Sequence, residues 1–308
     1  MDGIINVLKP PGMTSSDVVV RLRRVLETKK IGHTGTLDAG AAGVLPVCVG
    51  KGTRLAEFIT NQGKAYRTEV TFGLVTDTQD TLGKVVCRTK PEITPEDVKR
   101  RLPGFLGKTK QTPPMYSAVR REGKHLYEYA RQGLTLERKP REIQIYSLDL
   151  VKWYDGVYPK AILDVECSKG TYIRTICHDL GQALDCGACM SFLLRVRSGP
   201  FTLAESWTLE EIEEAVGKSV YDFLLPLSAG ADLPQICLPT ARAEAFRRGL
   251  PTNRGLVPDL PEGPPGGYVQ VMEKETLLGI GVWREEGLFP YKVLGGQIHA
   301  NPDKPARK

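Results

Sequence analysis

The chain has 308 residues, 41% hydrophobic and 25% charged, which excludes a disordered, collagen-like or coiled-coil chain and predicts about two domains. Lys and Arg number 42 against 36 Asp and Glu, a net charge of +6, which admits a polyanionic partner without requiring one. No apolar run approaches the ~20 residues of a transmembrane helix, and MDGIINVLKPPGMTSSD carries an early acid and no long apolar stretch, so neither membrane attachment nor a signal peptide is expected and the expected compartment is the cytoplasm.

Thr14-Ser15-Ser16-Asp17 offers helix caps ahead of VVVRLRRVLE, whose apolar spacing predicts a helix with a basic outer face. Residues 31–43, rich in Gly and Thr, read as an ordered loop, and 44–49 as a buried strand. Tyr66, Thr68, Val70 and Phe72 alternate with Arg67, Glu69 and Thr71, the period of a strand. Thr94 followed by Pro95 opens a helix. Residues 143–150 and 158–168 read as strands, 172–184 as a helix after the turn Lys169-Gly170-Thr171, and Thr208-Leu209-Glu210-Glu211 as a capping box opening another. PLSAGADLPQICLP reads as a linker, placing a domain boundary near 232–238. The expected domains are therefore 1–232 and a compact unit, 236–300, with short strands at 268–272 and 279–283 and a Pro/Gly-rich loop at 258–267. The tail NPDKPARK is expected to be disordered.

Residues 108–141 stand apart. Lys and Arg outnumber acids there and are interleaved with Tyr116, Tyr127 and Tyr129. That mixture suits phosphate contact plus base stacking, and equally a solvated surface insertion. Seven cysteines, an odd number in a chain of this length, give no disulfide framework. Cys186 and Cys189 form a lone CxxC, and the four histidines are not spaced to complete a zinc site. Reduced thiols packed as small hydrophobes are the expectation.

IGHTGTLDAGAAGVLPVCVGKGTR, residues 31–54, holds five glycines between Gly32 and Gly50 and one carboxylate, Asp38. It fits neither a P-loop nor a dinucleotide fingerprint. It lacks the second carboxylate of a glycosidase pair and the GxSxG elbow of a hydrolase triad. What remains is one aspartate on a glycine-rich loop near His33. Such a carboxylate serves as nucleophile or general base, or simply caps a turn; the residues alone leave these open.

GHTGTLDAGAAGVLPVCVG closely resembles the catalytic motif of the TruB family of tRNA pseudouridine synthases. NVLKPPGMTSSDVV, KAYRTEVTFGLVTDTQDTLG, PPMYSAVRREGKHLYEYARQG, CSKGTYIRTICHDLG and FLLRVRSGPF resemble that family's further segments in order, over about residues 3–205. One departure is local: the family usually reads LDPxA[ST]G, whereas Ala39 and Ala42 stand here for the proline and the hydroxyl residue.

The resemblance implies an α+β pseudouridine synthase domain on a mixed, mostly antiparallel sheet, followed by a small PUA-like β-barrel that binds RNA. It implies that Asp38, Tyr66 and Arg174 carry the chemistry: Asp38 as the catalytic carboxylate, Tyr66 stacked on the target base, Arg174 paired with Asp38. It leaves open whether Asp38 attacks the ribose C1′, adds to the base or removes the C2′ proton. His33 is implied to fill space vacated by flipped nucleotides, Lys9 to stand near the site, Tyr172 to line the pocket, and Leu193 or Leu194 to form an apolar floor under the uracil. The implied substrate is uridine 55 in the T arm of tRNA, gripped by residues 108–141 and contacted on its acceptor side by the C-terminal unit. No cofactor, metal, membrane or guide RNA is expected, and a monomer is the default. A binder or RNA chaperone on the same scaffold is the competing reading, and a guide-RNA-dependent synthase a third.

Overall fold

The computed structural model describes residues 1–257, 260–261 and 263–295; the tail 301–308 and the end of the expected unit 236–300 lie outside them. A ten-stranded sheet organises the larger part of the chain. Its main path runs Leu224–Leu225, Gly3–Lys9, Ala42–Val49, Ala188–Ser198, Lys64–Phe72, Lys160–Cys167, Arg141–Tyr154 and Gly107–Gln111. Every neighbouring pair on this path is antiparallel except one. Ala42–Val49 and Ala188–Ser198 run parallel, so the sheet is mixed and mostly antiparallel, as the sequence predicts.

The predicted elements form with small shifts at their ends. Thr14, Thr94 and Thr208 each cap a helix with a reciprocal bond from an acid three residues on, satisfying amide groups that a helix start leaves orphaned. The first of these helices, Ser15–Val25, packs beside the third, Leu209–Gly217, where Arg21 grips Glu213 through two bonds of 2.6 and 2.8 Å. Their apolar faces close one core with Ile5, Val7, Val47 and Phe223. The second core holds Val70, Phe72, Leu163, Val165, Ile176 and Leu180, supplied largely by strand alternation and by the helix Ile173–Ala183.

Three segments differ from the sequence reading. The stretch 226–239, read as a linker, contains the short strand Gln235–Cys237, paired parallel with Tyr268–Glu273. Residues 31–43 contain the short strand Ile31–His33, paired antiparallel with Ala42–Val49; three residues are too few for strand periodicity to declare itself. Gly107–Gln111 pairs with Arg141–Tyr154, so the first residues of the basic stretch 108–141 belong to the sheet edge. The remainder carries a two-stranded hairpin, Arg120–Arg121 with Lys124–His125, and the helix Leu126–Arg131.

Toward the C-terminus a five-stranded sheet runs Gln235–Cys237, Tyr268–Glu273, Thr276–Arg284, Gly287–Val293 and Thr252–Asn253. It has its own core around Val271, Phe246, Trp283 and Leu288. A separate apolar cluster joins it to the larger part: Leu55, with Phe58 beside it, meets Met272, Leu277, Ile280 and Leu294.

Candidate active site

The single parallel pairing on the main path of the ten-stranded sheet fixes the site. Its register sets Gly43 opposite Arg195, and the next strand sets Tyr66 opposite Arg195. These three residues form a lateral row across three strands, and Asp38 lies on the loop just before the first of them. Gly43 has φ +116°, and a Cβ there would meet the Arg195 carbonyl oxygen at 2.2 Å. Only glycine permits this close parallel approach.

The Asp38 loop is held by the N-terminal segment. The Ser15 hydroxyl accepts from the Leu37 amide at 2.8 Å and donates to the Leu37 carbonyl at 3.1 Å. The Gly12 amide donates to the Ala39 carbonyl at 2.8 Å. Lys9 is fully buried, and its ammonium donates to the carbonyls of Pro10, Met13 and Ala39 at 2.8, 2.7 and 3.4 Å. Burial pulls the Lys9 pKa down to about 8, against the opposing pull of Asp38. At position 39 the hold is on the backbone carbonyl, so alanine serves there without loss of these bonds.

Arg174, in the first turn of the Ile173–Ala183 helix, engages both oxygens of Asp38. Nε stands 2.9 Å from Oδ2, and Nη2 donates to Oδ1 at 3.3 Å. The guanidinium is 6% exposed and the carboxylate 43%, so the buried partner fixes the open one and leaves it facing the cleft. Arg174 also donates to the carbonyls of Thr78 (3.1 Å) and Tyr116 (2.8 Å) and lies 3.8 Å from Asp80. The planar fork with five donors makes this many-sided hold possible.

A cavity of about 310 Å³ opens in front of Asp38. Tyr66, Tyr172 and Leu193 line it. Tyr66 is buried, which raises its hydroxyl pKa and keeps it protonated near neutrality. The Tyr172 backbone is fixed by a reciprocal pair with the Gln111 side chain, its amide donating to Oε1 at 2.8 Å and its carbonyl accepting from Nε2 at 3.0 Å. Of the two candidate floor leucines, Leu193 borders the cavity and Leu194 does not. His33 and Lys9 also stand outside the lining: Lys9 reaches the site through the loop it holds. His33 lies on the neighbouring short strand, its Nδ1 accepting from the Gly35 amide at 3.4 Å. Burial lowers the His33 pKa, which favours the neutral ring.

Ser117, Arg141 and Lys169 of the cavity lining escaped the sequence reading, and so did four groups that hold the site in place. Arg195, 1% exposed, donates to the carbonyls of Val44, Gly35 and Thr36 at 2.7, 3.2 and 3.5 Å, on both sides of Asp38 in sequence. Lys64, also in the lining, donates to the carbonyls of Thr60 and Gln62, and burial takes its pKa to about 8. Asp80 and Ser15 complete the set. Both strands carry other charged residues, Arg67 and Glu69 in one and Arg197 in the other, so nothing in the sequence set Lys64 or Arg195 apart. The lone CxxC adds nothing to the site: Cys186 and Cys189 are buried free thiols, and burial holds the Cys189 pKa up at about 11.

One carboxylate, held rigid yet open, faces a cavity with an apolar and aromatic wall and five cations: Lys64, Arg141, Lys169, Arg174 and Arg195. The fold is shared with a chain in a crystal structure of a Cbf5–Nop10–Gar1 complex (TM-score 0.75, 24% identity, 96% of this chain and 85% of that one). It is shared too with a chain in a structure of an H/ACA RNP bound to a substrate RNA containing 2′-deoxyuridine (TM-score 0.73, 22% identity, 95% and 84%). Fold and sequence together define a pseudouridine synthase. Residues 23–173 match the model of the TruB family pseudouridylate synthase N-terminal domain, and residues 174–230 that of the tRNA pseudouridylate synthase B C-terminal domain. The chain is 52% identical over 251 residues to tRNA pseudouridine synthase B of Symbiobacterium thermophilum, covering 81% of this chain and 83% of that protein. It is 47% identical over 302 residues to that of Moorella thermoacetica, covering 95% and 99%. The chain belongs to the TruB family.

Proposed function

We propose that this protein isomerises uridine to pseudouridine in tRNA, at position 55 of the T arm, with Asp38 as the catalytic carboxylate. The observation that carries the reading is the single Arg174-clamped carboxylate in a cavity whose other charges are all positive. A polyanionic substrate is drawn to such a cavity, and the carboxylate is the one anionic group ready to act on it. The relatives named tRNA pseudouridine synthase B support tRNA as that substrate.

The reaction breaks the C1′–N1 bond, turns the uracil and joins its C5 to C1′. Atoms are conserved and nothing is oxidised or reduced, so the chemistry calls for acid–base and covalent catalysis rather than a redox group. Asp38 acts at the ribose or the base, by attack on C1′, addition to the ring or removal of the C2′ proton. Arg174 keeps it aimed, through the two contacts of its planar fork. The protonated, buried Tyr66 stacks on the uracil and lies in place for the exchange of the C5 proton. Leu193 and Tyr172 shield the detached base from water. The target base lies within a folded loop, so it must be extruded, and the neutral ring of His33 is suited to occupy the gap it leaves.

Residues 112–140 grip the T loop. Their hairpin and helix stack His125 on Tyr127 (5.2 Å, 11°) with Arg131 over the same ring at 5.3 Å, a surface suited to bases and phosphates. We assign residues 1–232 as the catalytic domain and the C-terminal five-stranded sheet as a PUA-like unit that contacts the acceptor side of the tRNA. Relatives named for tRNA alone and this grip favour action without a guide RNA, and we take a cytoplasmic monomer as the acting form. Among the described residues no helix is long and apolar enough to cross a membrane.

The test uses a tRNA transcript with tritium at C5 of uridine. The wild type should release tritium, and Asp38→Asn should release none while binding the transcript with a Kd within about threefold of wild type, because fold and grip are untouched. Tight binding by the wild type without release would make the protein an RNA binder or chaperone instead.

A further inference from the structure

We propose that Ser117 is a further substrate-binding residue, its hydroxyl hydrogen-bonding the uridine extruded into the cavity. This rests on the pseudouridine synthase reading above. Ser117 lines the same cavity as Asp38 and Arg174 and is 5% exposed. Among the described residues its Oγ has no hydrogen-bond partner. A buried hydroxyl without a partner is destabilising and uncommon; an alanine would fill the position at less cost to the empty fold. A ligand that completes the missing bond accounts for the hydroxyl.

The backbone around it is already committed. The Ser117 amide donates to the Met115 carbonyl at 2.9 Å, and its carbonyl accepts from the Tyr127 amide at 3.2 Å. The remaining freedom is rotation about χ1, between staggered wells that interconvert readily. In the present rotamer Oγ is covered; because the residue forms part of the cavity wall, a rotation can present it to a ligand. A hydroxyl both donates and accepts, and the uracil edge offers two carbonyls and an N–H.

Ser117 is also placed relative to the reacting carboxylate. The carbonyl of its neighbour Tyr116 accepts from Arg174 Nη2 at 2.8 Å, and the same nitrogen donates to Asp38 at 3.3 Å. One guanidinium thus sets both the carboxylate and the wall that carries Ser117. The segment belongs to the stretch that grips the RNA, so recognition of the extruded base and alignment of Asp38 share a single side chain.

The experiment compares wild type with Ser117→Ala. On a tRNA transcript the variant should show a kcat/KM about five- to tenfold lower, the effect of one lost hydrogen bond, with a Tm equal to or above wild type because an orphaned buried group has been removed. Binding is then measured with the same pair in an Asp38→Asn background, which stops turnover. Affinity for the uridine transcript should fall about five- to tenfold, and affinity for a transcript with an abasic site at the modified position should be unchanged. Equal affinities for both transcripts, equal losses on both, or a lowered Tm that accounts for the activity would each overturn the assignment. Absence of turnover by the wild type itself would instead overturn the reading of the function.

Discussion

In the proposed reaction the carboxylate has to stay open to the substrate, and the partner that aims it has to be held still. The Asp38–Arg174 pair divides these demands: the guanidinium is 6% exposed, the carboxylate 43%. Three further acceptors or counter-charges, the carbonyls of Thr78 and Tyr116 and the carboxylate of Asp80, hold the guanidinium in its plane. Lysine keeps the positive charge but offers a point rather than a fork. Arg174→Lys should therefore lower the single-turnover rate by about a hundredfold, the penalty of roughly 1 Å of misplacement, while leaving tRNA affinity nearly intact. A rate within a few-fold of wild type would mean that charge alone suffices and that the bidentate geometry is incidental.

Among the elements, the loop at 34–41 has no regular structure of its own and depends on neighbours for its shape. Its anchors come from far along the chain: Ser15 from the start of one helix, Lys9 from the end of a strand, Arg195 from the strand that runs parallel to Ala42–Val49. Ser15→Ala removes both bonds to Leu37 and leaves a buried amide and carbonyl unmade, which should destabilise the protein by about 1–3 kcal/mol. Hydrogen exchange should then accelerate at residues 36–40 before it does in the sheet; uniform acceleration would place the effect in the helix cap instead. The same contacts mark the limit of what the sequence showed. Helix caps, one of them a capping box, alternating strands and the family motifs around Asp38, Tyr66 and Arg174 are local, and all were legible. Arg195, Ser15 and Lys64 act through backbone carbonyls and amides, which leave no complementary side chain to find. The parallel pairing that aligns Gly43, Arg195 and Tyr66 joins segments about 150 residues apart, and nothing in either strand announces its partner. Leu193 could be separated from Leu194 only once the strand's orientation was known.

At the scale of the whole molecule, the mixed sheet, its apolar cores (one of them around Cys48, with Ile4, Val44, Ile59 and Phe201) and the apolar cluster that seats the C-terminal sheet on Leu55 and Phe58 bury groups whose ionisation opposes folding at opposite ends of one pH window. Lys9 and Lys64 fall to about 8 from an ordinary 10.5. The unfolded chain binds those protons more tightly, so between about pH 8 and 10.5 their contribution to stability rises with pH. Cys48 and Cys177 rise to about 12, and Cys167 and Cys189 to about 11, from an ordinary 9. Here the folded chain holds the proton more tightly, so the thiols favour the fold fully below pH 9 and progressively less above it. Burial raises the Tyr66 hydroxyl as well, which adds to the loss above pH 10. Burial raises Cys186 and Tyr291 too, and five thiols and two phenols against two amines should give a denaturation midpoint, measured under reducing conditions, that peaks near pH 9 and declines by pH 10.5. Cys48→Ala lowers the whole curve by opening a small cavity, but it removes one titrating thiol and should flatten the alkaline decline. A midpoint that climbs steadily through pH 10.5 in the wild type would show that these thiols ionise within the folded protein, and that its interior is wetter than the sealed strands around Cys48 and Cys177 require.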